Sequence, residues 1–493
     1  MPHRIERRSK GGAALAVAAV AVAALLTSCA APDLGPRPAP LAAATLRSKA
    51  SLSIGPIANE WPGDHWWTRY NDPQLDALVA EAVVNSPTVA QAAAKVRAAR
   101  GIALQAGAAS LPQLDASGEA GLKKQSYNNG IPPDFVPKGW RSYGRLSLAG
   151  DFDLDLWGRH KAELVAATSE AVATEVDARE AALAIESNVV EAYATLGVLF
   201  AERALAARSV EARRSSADLY AKRYKAGLDS ELPQRQAEAA AARTAAELEA
   251  LDEKIALERH VIAALLGAGP DRGLAIVPPR ETGPFARIPL PADAGIALAG
   301  RRPDIVAARL RVEAQGSRID AARAAFMPDV SLSALVGLMS LGITKLFDTG
   351  SSYGNATAAF SLPIFDGGQR RGNLVQARGK YDELVAGYNA TVVDALKDVA
   401  DALSSRASVE RQSAEAERAV AAAADAYRLA DLRYRSGLTT YLDVLSAQTA
   451  LLDAQRAALD TRSRLLLTDI QLVRALGGGY ADTAAPSQQG TRP

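Results

Sequence analysis

The chain has 493 residues, 105 of them alanine, and a formal net charge of +1. A single cysteine excludes a disulfide framework and a thiolate metal cluster, the four scattered histidines lack metal-ligand spacing, and the near-zero charge excludes a basic nucleic-acid footprint. With 23 % charged residues and 25 prolines, the alanine excess predicts long helices rather than an all-β globule.

At the N-terminus Arg4, Arg7, Arg8 and Lys10 precede an apolar run over 13–26 and then Leu26-Thr27-Ser28-Cys29. A basic head, an apolar stretch and small residues before a cut form an export signal over 1–28. Leu-Thr-Ser-Cys resembles a bacterial lipobox. It implies cleavage before Cys29, with S-diacylglycerol on its thiol and an acyl chain on its new amino group. Ala30 rather than Asp after the cysteine implies sorting to the outer membrane. Past residue 28 no uninterrupted apolar run reaches the roughly 18 residues of a membrane helix, so no helical crossing is expected. Residues 29–60 read as a lipid-anchored, proline-punctuated tether.

The rest divides into a first repeat over 61–268, a Pro/Gly-rich linker over 269–292, a second repeat over 293–478 and a tail over 479–493. Pro87 and Pro112 bracket a helical segment, as do Pro303 and Pro328. Phe152-Asp-Leu154 with Trp157 matches Phe360-Ser-Leu362 with Phe365. Arg223-Tyr-Lys-Ala-Gly-Leu228 matches Arg433-Tyr-Arg-Ser-Gly-Leu438, and Leu266-Gly267 matches Leu476-Gly477. Four landmarks in one order mark a tandem duplication. Each repeat predicts a helix, two strands and a long helical hairpin.

The strands are predicted from period-2 alternation over 113–123, 146–156, 329–338 and 355–364. In the second of these the even positions are Leu, Leu, Gly, Phe, Leu and Leu, and the odd ones include Asp151, Asp153 and Asp155. Strands of about ten residues suit a tilted bilayer crossing. An open four-stranded sheet cannot span lipid, because its edge groups would go unpaired, so several chains must close one barrel. Trp157 and Phe365, where strand meets helix, are then placed at the interfacial aromatic girdle.

The helix over 158–226 would span on the order of 100 Å, too long for a compact domain and suited to a helical wall. Return helices are predicted over 228–266 and 438–476, after turns at Gly227 and Gly437.

Together these segments resemble the TolC-like outer membrane factors, in particular the NodT-type lipoproteins of RND efflux systems. The resemblance rests on Trp66-Trp67 with Asp72-Pro-Gln-Leu75, Phe152-Asp-Leu-Asp-Leu-Trp-Gly158 and Arg301-Arg-Pro-Asp-Ile305. It continues through Met327-Pro-Asp-Val-Ser-Leu332, Leu362-Pro-Ile-Phe-Asp-Gly-Gly368 and Tyr434-Arg-Ser-Gly-Leu-Thr-Thr-Tyr-Leu-Asp-Val-Leu445. It implies an α+β membrane protein and a homotrimer: four strands per chain in a twelve-stranded outer-membrane barrel, continuous with a long α-helical periplasmic barrel. The implied function is the passive exit duct of a tripartite pump, with a periplasmic adaptor (membrane fusion protein) and an inner-membrane RND-type transporter as partners. The implied location is the cell outer membrane, among its lipids, with the tunnel in the periplasm.

Carried residue by residue, the resemblance makes Gly227-Leu228 and Gly437-Leu438 the adaptor-contacting hairpin tips. Asp443 matches an acidic ring at the narrowest part of the entrance, and Tyr434 matches a gate position. The sequence departs from the pattern at Pro233, Thr439 and Ser446, so the family's gate-closing links do not all transfer. Gly267-Ala-Gly-Pro-Asp-Arg-Gly273 has the wrong spacing for a dinucleotide loop, and no catalytic residue, metal ligand or cofactor is expected. The competing readings are a periplasmic coiled-coil scaffold and, within the duct class, the outer-membrane component of a type I protein secretion system.

Overall fold

The computed structural model describes residues 31–53, 57–58, 61–280, 290–291 and 293–482. The export signal, Cys29 and residues 483–493 lie outside the described residues.

The two repeats give the same long elements in the same order. A short helix (α1, Pro73–Asn85; α5, Ala294–Arg301) precedes one of 22 residues (α2, Pro87–Ala108; α6, Pro303–Ala324). Two strands follow: β1, Gln113–Lys123, and β2, Arg141–Asp153, in the first repeat; β3, Asp329–Leu341, and β4, Ser352–Ser361, in the second. Then come a helix of 67 residues (α3, Arg159–Lys225; α7, Gln369–Arg435) and a return helix of 35 (α4, Glu231–Leu265; α8, Tyr441–Ala475). Three helix pairs have equal lengths; the repeats differ in the opening helix, 13 residues against 8, in the strand ends and in the longer connection from β1 to β2.

Packing divides the chain into two units, and each draws on both repeats rather than following the repeat boundary. Among the described residues the first takes 31–39, 97–172 and 309–386. It holds a four-stranded antiparallel sheet in the order β1-β2-β3-β4. Only β1 keeps both ends that the alternation predicts: β3 runs on to Leu341 rather than 338, and β4 starts at Ser352 rather than 355. β4 stops at Ser361 rather than running to residue 364, because Pro363 has no N–H for the ladder. β2 starts earlier, at Arg141, and stops at Asp153. Asp155 therefore leaves the wet strand face expected for it: its carboxylate accepts the backbone N–H groups of His160 (3.1 Å) and Lys161 (2.9 Å) and opens α3. Asp366 does the same for α7, accepting from Gly368 and Arg370.

The second unit takes the described residues within 40–96, 173–308 and 387–482. Its core includes Leu78, Leu196, Ile262, Leu266, Leu298, Ile305, Leu472 and Leu476. Asp72 caps α1, accepting the Gln74 N–H at 2.9 Å and the Tyr193 hydroxyl at 2.6 Å, while Pro73 supplies the first helical residue. Trp66, Trp67 and Tyr70 are buried beside it in edge-to-face contact. Gly267 and Gly477, with φ of 67° and 92°, end the return helices where a Cβ would strike the carbonyls of Asn85 and Arg301, the last residues of α1 and α5. Each return helix is thus pinned to the short helix that opened its repeat.

The described part of the tether is held rather than loose. In the first unit Arg37 pairs with Asp320 at 2.6 Å; in the second the Leu41 N–H donates to Asn389 at 2.7 Å and Leu52 is buried. The chain is likewise tied down as far as residue 482, whose N–H donates to the Gly300 carbonyl at 2.9 Å. One stretch of α3 is apolar enough to pass for a membrane span by composition, but more than half of it is buried by protein, as in a packed core helix.

Candidate functional site

The sheet is inside out for a water-soluble one. Leu114, Leu122, Leu146, Leu148, Leu332, Val336 and Phe360, the even positions, are exposed. No described element covers them, and no described strand pairs with the outer edges of β1 and β4. The odd positions carry the polar groups. Ser117 and Ser147 share a 2.9 Å hydrogen bond, the Tyr143 hydroxyl donates to Glu119, and Arg145 Nε donates to the Tyr353 hydroxyl at 2.6 Å. Strands of 10 to 13 residues with an apolar outer face and a polar inner face have the length and polarity of bilayer-crossing barrel strands. At the helix end of this unit Trp157 is half-exposed and its indole N–H donates to the Pro328 carbonyl at 2.7 Å. Phe365 is 90 % exposed.

In the second unit the long helices end in matching turns. The Gly227 N–H donates to Tyr224 O and the Leu228 N–H to Arg223 O, both at 2.9 Å; Gly437 and Leu438 repeat the pattern on Tyr434 and Arg433. This is the Schellman closure, and it requires the left-handed backbone that Gly227 (φ 67°) and Gly437 (φ 74°) adopt. It leaves Leu228 and Leu438 outside, 68 % and 69 % exposed.

Behind the tips Tyr220 of α3, Tyr434 of α7 and Tyr441 of α8 cluster, with ring centroids 4.0 Å (Tyr220–Tyr441), 5.9 Å (Tyr220–Tyr434) and 6.3 Å (Tyr434–Tyr441) apart. Ala237 and Val444 are buried with them. Burial pushes the Tyr220 phenol pKa well up. The Arg223 guanidinium lies 5.6 Å from the Tyr434 ring centroid and pairs with Asp229 at 2.7 Å.

Asp443 is not deep in its helix, because α8 begins at Tyr441 rather than at 438. It is the third residue of α8 and forms a capping box with Thr440. Its carboxylate accepts the Thr440 N–H at 3.0 Å, the Thr440 hydroxyl at 2.8 Å and the Thr439 hydroxyl. The hydroxyl of Thr439, then the hydroxyl and the backbone N–H of Thr440, hold its pKa below the usual carboxylate range. The first repeat cannot copy this. Pro233 stands at the matching position with no N–H to give, Ser230 makes no side-chain cap bond, and the Arg223–Asp229 pair occupies the turn instead. The structure thus brings Tyr434 into the tyrosine cluster and turns the Asp443 carboxylate to the helix end. Tyr220, Tyr441, Arg223, Asp229 and Thr440 were not singled out by the sequence. Thr440 alone had a local signal, the Thr-x-x-Asp spacing.

Against known proteins, the pattern of the family described as "Outer membrane efflux protein" matches residues 78–268 and 297–478. The chain belongs to the outer membrane efflux protein family. The two matched stretches start at 78 and 297, later than the repeats read from the sequence. Among relatives, the chain is 38 % identical over 377 residues to the fusaric acid resistance protein FusA of Burkholderia cepacia, covering 73 % of this chain and 68 % of that one. It is 29 % identical to the multidrug resistance outer membrane protein MdtP of Escherichia coli K12, covering 71 % and 73 %. Among solved structures, the outer membrane protein VceC of Vibrio cholerae superposes with a TM-score of 0.80 at 40 % identity, covering 85 % of this chain and all of that one. CusC, described as forming a transmembrane channel, gives 0.78 at 27 % identity, covering 91 % and 99 %. The fold class is that of the trimeric outer-membrane channels, which join a β-barrel to a helical barrel, and the protein is an outer-membrane efflux duct rather than an enzyme.

Proposed function

We propose that this efflux protein is the exit duct of a tripartite pump, lipid-anchored through Cys29, docked on a periplasmic adaptor by the tips at Gly227-Leu228 and Gly437-Leu438, and energised by an inner-membrane RND-type transporter. Its cargo is small molecules, drugs among them. The observation that carries the reading is the inverted sheet: an exposed apolar face with two open edges is stable in a bilayer only when further copies close it. Trp157 and Phe365 serve as the interfacial girdle, and Asp443 and Tyr434 belong to the periplasmic gate. Exposed leucines on glycine-locked turns suit an apolar contact made without refolding the tip.

Gentle detergent extraction of native membranes with cross-linking tests the whole. The expected result is a heat-sensitive trimer that carries an adaptor and an RND transporter, with subunit mass raised by an N-acyl, S-diacylglyceryl group that Cys29→Ala abolishes. Release of a monomer by salt alone overturns the duct assembly. An ABC transporter in place of the RND protein overturns the proposed energiser, and loss of a secreted protein on deletion identifies the cargo as protein instead.

A further inference from the structure

We propose that the polar face of the sheet is graded in charge along the strands, and that Arg145, with its copies, forms an oxyanion-selecting collar at the loop end of the barrel. The register places the charges. Going from β1 to β3, the rows at the helix end carry Asp115, Asp151, Asp153 and Asp329, interspersed with Gln113, Ser331 and Ser333. No lysine or arginine shares those rows; the one cationic candidate is His160, 3.6 Å from Asp153. Ser361, Ala359 and Thr357 on β4 add no charge.

At the loop end the sign reverses. Lys123 faces Arg141, Gly121 faces Tyr143, and Glu119 faces Arg145. Three bases there meet one acid, so Glu119, which also accepts the Tyr143 hydroxyl, offsets one of the three positive charges and leaves the row net positive. The connecting loops keep the balance positive, with Lys124, Lys138 and Lys345 against Asp134 and Asp348.

Arg145 is fixed in place. Its guanidinium reaches from β2 across β3 to Tyr353 of β4, donating one hydrogen bond at 2.6 Å and lying 5.5 Å from the ring centroid. It passes the strand that holds Gly337, the residue paired with both Ser147 and Tyr353, where no side chain stands in the way. A phenol holds the guanidinium without neutralising it, so its remaining N–H donors are free to fork onto a carboxylate, sulfonate or phosphate. A ring of fixed arginines selects anions, as a ring of aspartates selects cations. The ligand class is therefore a small organic oxyanion leaving the duct, met by acid at the helix end and by arginine at the mouth.

The inference rests on the closed-barrel reading, and the test separates the two. Purified trimers in planar bilayers under a KCl gradient give the anion-to-cation permeability ratio. Arg145→Gln is expected to lower that ratio about two- to threefold and to remove block by pyrenetetrasulfonate added on the loop side. Arg145→Lys restores the ratio, and Tyr353→Phe, which keeps the charge, leaves it within error of wild type. Lys123→Gln with Arg141→Gln, which spares the Arg145–Tyr353 hydrogen bond, shifts the ratio in the same direction as Arg145→Gln. Asp151→Asn shifts it the opposite way. Channels that open normally with the same ratio in wild type, Arg145→Gln and the Lys123/Arg141 double variant overturn the collar and leave the duct standing. Wild-type trimers that form no channel overturn both.

Discussion

Thr440 and Asp443 close the start of α8 on each other: the Thr440 N–H donates to the Asp443 carboxylate at 3.0 Å, and the Thr440 hydroxyl accepts from the Asp443 N–H. The carboxylate proposed for the gate is thus also the cap of a helix, and a substitution there has two consequences that must be separated. Asp443→Asn keeps much of the cap and removes the charge, whereas Thr440→Val weakens the cap by about 1 kcal/mol and keeps the charge. The gate assignment predicts raised single-channel conductance for Asp443→Asn and for Asp443→Ala, and little change for Thr440→Val. The sign of the pH effect follows from the lowered pKa. The carboxylate is already ionised above the unfolded value of 3.8, and its contribution is lost only as pH falls through the still lower folded value. The conductance difference between wild type and Asp443→Asn therefore persists at about pH 4.5.

Gly227→Ala and Gly437→Ala meet no steric neighbour, yet force an L-residue into the left-handed region. Each is expected to cost about 1–2 kcal/mol, read as a lower trimer dissociation temperature. Leu228→Asp and Leu438→Asp lie on exposed positions and should leave that temperature unchanged while abolishing cross-links to the adaptor.

Glu186 on α3 is buried, with one carboxylate oxygen lacking a partner and Arg179 at 3.5 Å from the other. Burial raises its pKa above 4.5, so the ionised form carries a cost that sets in as pH rises through that unfolded value and is complete above the folded one. Glu186→Gln should therefore stabilise the protein by about 1 kcal/mol at pH 7 and not at all near pH 4. Arg179 keeps Asp64 as a partner at 3.1 Å. Thermal unfolding at the two pH values checks both the sign and the window.

Arg406 of α7 and Asp469 of α8 form a buried ion pair at 2.8 Å. Removing one member leaves a charge stranded away from water, so Arg406→Met is expected to destabilise by about 3–5 kcal/mol. Asp469→Asn combined with Arg406→Met should recover part of that loss, measurable by a double-mutant cycle in urea.

The strands were legible because lipid on one side and water on the other impose a period of two that no turn or loop imitates. Their ends were less so, since the alternation runs on past the strand: the Leu154 N–H still donates to the Val330 carbonyl at 2.9 Å and Leu156 keeps the pattern, although β2 stops at Asp153 and Asp155 has turned to serve α3. The tip glycines were legible from spacing alone. The tyrosine cluster was not, because Tyr220, Tyr434 and Tyr441 come from three helices and only the folded hairpins bring them together. The Arg145–Tyr353 bond is hidden for the same reason, its partners being 208 positions apart on strands that never pair directly.

The matched lengths of the helical hairpins, 67 and 35 residues in both repeats, bear on how such a chain can change over generations. One residue inserted into α3 alone would swing everything beyond it by about 100° around the helix axis. Tyr220 and Arg223 would leave the faces on which they meet Tyr441 and Tyr434. Many point substitutions leave this geometry intact, as the low identity between repeats attests, whereas a lone insertion or deletion would shift every contact beyond it. Growth is left to the strand-to-strand loops, where the two halves already differ in length.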